Sequence, residues 1–327
     1  MPKQKKLLPA EIEKHLVRRG LSSFAVIGCK GTGSSYPCCE YDILADLKDS
    51  IILHEIAGST FVDLVPIPAK PDETDSFNFL HMNTVADPNL ILSGLSKNSK
   101  KIIADDYALS RLLEAISAIK KAEGCFDEKN SVDASFWVYT AGYELAESAI
   151  AYSQSSFHPT HLLDDVKFVF PKIGAQQEVF SDAINLQVTS RTSVDRRLEG
   201  INELMLASLQ LLEGSPESVF VYSKQLNKKI SWLLKNHAVL QAHAFLGWQT
   251  ITMLRSIYSK FCKDMGIPPH HNRIVTELLE RGERPYRISQ ESLRLMGIQN
   301  DSNIPSIVRN LRELTESVRK AVASGRL

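Results

Sequence analysis

The chain has 327 residues, 43% hydrophobic and 23% charged, with a formal net charge of zero at pH 7. That length exceeds one compact core and points to two domains. The balanced charge gives no basic surplus for binding long nucleic acid, no apolar run spans a bilayer, and five cysteines without a C-x-x-C pair give neither a disulfide framework nor a zinc motif.

The opening residues, MPKQKKLLPAEIEKHLVRRG, are basic but lack the apolar centre of a signal peptide, so a cytoplasmic location is expected. Pro9, the Ile12/Leu16 face and Gly20 predict a short helix there. Four strands follow, FAVIGC, EYDILADL, SIILHEI and TFVDLVPI, each rich in β-branched residues and bounded by turn residues. Residues 68–78 read as a polar loop. Next come a helix from NLILSGL, a short strand at KIIADD, and a helix with Leu109, Leu112, Leu113, Ile116 and Ile119 on its apolar stripe, ended by Gly124. The predicted boundary follows, giving a domain over 1–125 and a helical domain over 126–327.

The second half reads as helices at ASFWVYTAGYELAESAIAYSQ, at HPTHLLDDVKFVF and from about Ser193 to Leu212. Residues 171–193 have too weak a period to assign. From Lys224 a single long helix is expected. Its seam of Leu226, Ile230, Leu233, His237, Leu240, Ala244, Gly247, Ile251, Leu254, Tyr258 and Phe261 steps by four and three. Such a seam calls for partner helices, from this chain or a second copy in a homodimer. IPSIVRNLRELTESVRKAVASG forms the last helix. The fold class is therefore α+β: a mixed sheet with helices, then an all-helical region.

The chemistry concentrates in GCKGTGSSYPCCEYD, residues 28–42. Gly28 and Gly33 have P-loop separation, but Ser34 stands where that loop needs lysine. A dinucleotide fingerprint fails as well, because Tyr36 replaces its third glycine and a strand follows where a helix is required. The acids offer another reading. Glu40 and Asp42 are two apart on a strand and leave the same face, and Asp63 lies on another apolar strand. Three carboxylates on one hydrophobic sheet repel one another, and a divalent cation removes that cost. Oxygen ligands of this kind suit magnesium, with manganese as a substitute.

This stretch resembles the signature of the polymerase-beta-type nucleotidyltransferase superfamily, in its small-substrate branch. The pattern there is roughly G-S-x-A-R-G-E-x-x-x-x-S-D-I-D, with a third acid on a later strand. Gly28 takes its first glycine, Cys29 its serine, Thr32 its arginine and Gly33 its second glycine; Glu40 and Asp42 take the two aspartates, and Asp63 resembles the third acid. The resemblance covers about residues 20 to 124. It implies a nucleotidyltransferase-like fold in which Glu40, Asp42 and Asp63 are catalytic and hold two magnesium ions. Gly28, Cys29, Gly33 and Ser34 would bind the nucleoside triphosphate. The implied reaction transfers a nucleoside monophosphate to a hydroxyl acceptor, a small molecule or protein, and Glu144 is a candidate general base. The alternative is a nucleotide sensor or interaction module of the same fold without transfer. His158, His161, Asp164 and Asp165 read as a polar helix start, His270 and His271 as loop surface, His237 as a buried, hydrogen-bonded seam residue with His243 in the same helix, and Arg196 and Arg197 as solvated.

Overall fold

The computed structural model describes residues 7–48, 51–95, 100–153, 155–212, 215–265, 284–296 and 303–324. Two compact units emerge. The first comprises Met1–Tyr107 with Glu217–Trp232, the second Ala108–Pro216 with Leu233–Leu327. Among the described residues, no helix is long and apolar enough to cross a membrane.

The first unit is built on a mixed five-stranded sheet. Strands β1 (Phe24–Ile27), β2 (Tyr41–Ala45), β3 (Leu53–Ala57), β4 (Thr60–Pro66) and β5 (Asn83–Ala86) lie in the order β3-β4-β2-β1-β5. β2 and β4 run parallel, and the other three pairings are antiparallel. The first four strands fall where the β-branched runs bounded by turn residues predict them, and β5 was not expected. Successive side chains leave opposite faces, which sorts the core into two layers. Phe24, Val26, Ile43, Ala45, Val62 and Leu64 pack with Ile12 and Leu16 of helix α1 (Ala10–Arg18). On the other face, Ala25, Ile27 and Leu44 pack with Phe79 and with Leu92 of α4 (Ile91–Leu95). Between them in sequence, the short α2 (Gly28–Thr32) follows β1 directly, and α3 (Glu73–Asn78) follows β4.

Four local expectations fail here, in whole or in part. The supposed loop at 68–78 contains α3, because Asp72 and Asp75 form a capping box that closes a helical turn from polar residues. KIIADD is not a strand but the start of α5 (Lys100–Asp127). Its β-branched pair suggested extension. Yet Ile102 is 59% exposed, while Ala104, Tyr107 and Ala108 are buried at helical spacing. Further along, Leu112, Ala115, Ala118, Ile119, Ala122 and Cys125 make the buried stripe, and Leu109 and Leu113 are exposed. The expected stripe holds at Leu112, Ile116 and Ile119 and fails at Leu109 and Leu113, where small residues take the packed face instead. Gly124 lies inside this helix; the chain turns at Asn130, whose side chain accepts from the Asp133 amide and caps α6 (Ser131–Tyr152).

The second unit is helical. Its core forms around α6, almost all of which is buried. Helices α7 (Leu162–Val169), α8 (Gln177–Ala183), α9 (Arg191–Leu212), α11 (Val239–Met265), α12 (Arg284–Met296) and α13 (Ile304–Ser324) complete it. The unassigned stretch 171–193 consists of short helical turns, which explains its lack of a sustained period. The expected long helix is two: α10 (Pro216–Lys235) and α11, broken where His237 takes a left-handed φ of 59°. The seam is buried on both sides of the break, at Leu226, Ile230 and Leu233 and again at Ala244, Ile251, Leu254 and Tyr258. Among the described seam residues, His237 and Leu240 at the break face solvent, so His237 is not a buried seam residue. Ala244, Ile251, Leu254 and Tyr258 join the core of this unit. The side chain of Phe261, and His270 and His271 entirely, lie outside the described residues.

Candidate functional site

A row of aligned residues crosses the sheet. Ile27 pairs with Asp42, Asp42 with Asp63, and Asp63 with His54. Directly opposed residues share a face, so Asp42, Asp63 and His54 leave the sheet together. Glu40, two residues before Asp42, joins them. Carboxylate oxygens of Glu40, Asp42 and Asp63 all lie within 4.8 Å of one another. Sequence spacing predicted the first two on one face; the parallel register of β2 and β4 brings in the third.

The glycine turn abuts this row. Gly28 has φ of 66°, and a Cβ there would collide with Asp42 Oδ2. The Asp42 carboxylate thus occupies the space a side chain at 28 would need. Gly31 sits tight against the backbone, where a Cβ would lie 3.0 Å from the Val26 carbonyl. The Asn83 side chain donates to the Gly31 carbonyl and ties the turn to β5. Gly33 ends α2 in the left-handed region, with open space around it. Ser34 is exposed, and its hydroxyl is 2.8 Å from that of Thr32. Cys29 is buried and shares a hydrogen bond with Cys39. That bond, then burial, then the charges of Asp42 and Glu40 push the Cys29 thiol up and keep it protonated.

One face of α10 meets these residues within the first unit. Ser218, Tyr222, Gln225, Lys229 and Trp232 recur at steps of four and three and so form one stripe. Lys229 Nζ donates to Glu40 Oε1 at 2.6 Å. Gln225 Nε2 donates to Asp63 Oδ2 at 3.1 Å. The Tyr222 ring lies 4.5 Å from that of His54, and Trp232 stacks on Tyr36 at 5.1 Å. Ser218 Oγ accepts from the His54 amide. His54 Nδ1 lies 2.8 Å from Asp63 Oδ1; a carboxylate only accepts, so Nδ1 carries the proton. Asp63 therefore has one oxygen held by His54 and the other by Gln225.

Burial drives the electrostatics. Asp42 is pushed well above the ordinary carboxylate range, first by burial and then by the charges of Glu40 and Asp63. Burial alone would lower the Lys229 ammonium, but Glu40 beside it, by charge and hydrogen bond, outweighs that and raises it. Two buried oxygens, Glu40 Oε2 and Gln225 Oε1, have no hydrogen-bond partner among the described residues. Such oxygens are what a cation satisfies. Both the orphaned oxygens and the carboxylate donor set fit a hard divalent ion.

Glu144 lies in the second unit. It is buried on α6 and accepts from Arg111 at one oxygen and from Arg255 at the other. Arg197 is not solvated as expected but fully buried there, donating to the His243 and Leu295 carbonyls, while His243 is lowered to about 3, first by burial and then by the Arg197 charge. Asp165 is raised to about 7, chiefly by burial. His158 and His161 sit with their rings 6.1 Å apart.

Sequence reasoning missed His54, Gln225, Lys229 and the Tyr36–Trp232 pair. The polar 4-3 stripe of α10 was visible beside its apolar seam, but nothing local says which surface it meets. Family models give no match to the chain, and neither do curated proteins.

Proposed function

We propose that the first unit is a metal-dependent nucleotidyltransferase domain that moves a nucleoside monophosphate from a nucleoside triphosphate to a hydroxyl acceptor. The observation that carries this reading is the convergence of Glu40, Asp42 and Asp63 within 4.8 Å of one another on a sheet face beside the Gly28 turn. The resemblance of residues 28–42 and Asp63 to the polymerase-beta-type superfamily supports it. Glu40, Asp42 and Asp63 would hold magnesium, which when bound supplies charge neutralisation at the triphosphate and at the attacking hydroxyl. The chain's own residues prepare that site. His54 and Gln225 hold Asp63 by both oxygens, which fixes its orientation. Gly28 lets Asp42 stand against the turn. Gly33 and Ser34 leave the far end of the turn open to phosphate oxygens, and Cys29, engaged with Cys39, shapes the turn from inside.

A second reading is a nucleotide-binding module without transfer. It is favoured by Lys229, whose ammonium already balances part of the cluster's charge without a metal. Calorimetric titration of ATP, GTP, CTP and UTP, with magnesium and with chelator, combined with an assay for pyrophosphate release in the presence of added hydroxyl acceptors, a mixture of polyols and of Ser-, Thr- and Tyr-containing peptides, separates the two. Metal-dependent binding with pyrophosphate release that Asp42→Asn abolishes is the expected result. Binding without release selects the module. No nucleotide binding under any condition ends both readings.

A further inference from the structure

Helix α10 places two hydrogen bonds to the acids four residues apart, Gln225 to Asp63 and Lys229 to Glu40. Lys229 is well buried, with 8% of its side chain exposed, so its charge is committed to this cluster and not to solvent. Three carboxylates and one ammonium leave a formal deficit of positive charge. Gln225 is itself 1% exposed, and its Oε1 has no partner among the described residues although its Nε2 is bound to Asp63. A buried amide oxygen beside carboxylates is a cation ligand in waiting.

We propose that Lys229 is the resident counter-cation of the cluster, and that a divalent cation entering among Glu40, Asp42 and Asp63 displaces it, so that metal loading competes with the central contacts of α10. The inference rests on the reading of these acids as a divalent-cation site. It adds a regulation to that site: whatever loosens α10 favours metal entry, and metal entry frees Lys229. Charge dictates the competition. An ammonium at 2.6 Å from Glu40 and a divalent ion on the same carboxylate repel each other strongly in a medium of low polarity. The outer contacts of the stripe, Tyr222 on His54 and Trp232 on Tyr36, are ring contacts separate from the Lys229–Glu40 pair. They can retain α10 while its centre lets go.

The test uses the full chain and manganese alone. Free manganese is counted by electron paramagnetic resonance against wild type, Lys229→Met and Lys229→Arg. Lys229→Met is expected to bind manganese at least about tenfold tighter than wild type, and Lys229→Arg, which keeps the charge, within about threefold of it. A second measurement needs no variant: acetylation of Lys229 in wild type, read by peptide mass spectrometry, should speed up at least about tenfold when manganese is added, because the amine leaves its buried pair. If manganese binds wild type and Lys229→Met equally, or binds without exposing Lys229 to acetylation, the displacement is wrong while the cation site stands. If neither wild type nor Lys229→Met binds manganese, the cation-site reading falls and takes this inference with it.

Discussion

The Asp42 carboxylate stands where Gly28 would carry a side chain, with Gly28 held at φ of 66°. The glycine turn and the acid strand thus depend on each other. Gly28→Ala should destabilise the chain by about 2–4 kcal/mol, from left-handed backbone strain plus the collision with Asp42. In a double-mutant cycle, Asp42→Ala should restore the collision part and leave the backbone part. Chemical denaturation of the four proteins measures this. Strictly additive losses would mean that the two residues do not touch.

The raised proton affinity of Asp42 gives a pH signature. An unfolded aspartate titrates near its ordinary value of 3.8, whereas burial, Glu40 and Asp63 hold folded Asp42 well above it. At pH below the unfolded value the group is protonated in both states and costs nothing. As pH rises toward the folded value, the unfolded state ionises freely and the folded state does not, so stability is lost. With chelator present, Asp42→Asn should therefore be more stable than wild type at pH 7, by on the order of 1–2 kcal/mol, with the gain fading toward pH 4. A gain that grows on acidification would reverse the sign and refute the repulsion argument.

Much of the first unit can be read from the chain. Alternation in EYDILADL and TFVDLVPI separates Ile43 and Leu64 from Asp42 and Asp63, and the sheet keeps that separation. The pairing of Asp42 with Asp63 needed only that these strands be neighbours. What stayed hidden has physical causes. Ile102 and Ile103 resemble strand residues, but the alanines of α5 fix a helix by packing, which overrides intrinsic preference. The break at His237 carries no glycine or proline to announce it. Lys229 meets Glu40 across 189 positions, and Gln225 meets Asp63 across 162. No local pattern encodes contacts of that range.

Glu144 is bound by Arg111 and Arg255 on a buried helix face, with 4% of its side chain exposed. Glu144→Gln should cost about 2–3 kcal/mol, because it removes the buried charge that Arg111 and Arg255 share, although Arg255 keeps Glu114 at 3.5 Å. The effect belongs to the fold of the second unit, so the melting temperature should drop with magnesium and with chelator alike. A variant with wild-type melting but impaired transfer would instead make Glu144 a catalytic base.

Asp165 offers a separate pH test in the second unit. Burial raises it to about 7, with Asp164 adding to the rise and His161 opposing it, and Asp165 Oδ2 has no hydrogen-bond partner among the described residues. Unfolded, the same side chain titrates near 3.8. Below that value both states hold the proton and the residue is neutral to stability. Between it and about 7 the unfolded state sheds the proton first, so wild type weakens as pH climbs through this window; above it both states are ionised and the loss is complete. Asp165→Asn keeps the shape without the charge. It should match wild type at pH 4 and exceed it at pH 8 by about 1–2 kcal/mol, a figure discounted for the partial exposure of the site. Thermal unfolding across pH 4 to 8.5 reads the difference, and the separation between the two curves should open on the alkaline side. Parallel curves across that range would show that Asp165 is solvated and titrates as an ordinary surface acid.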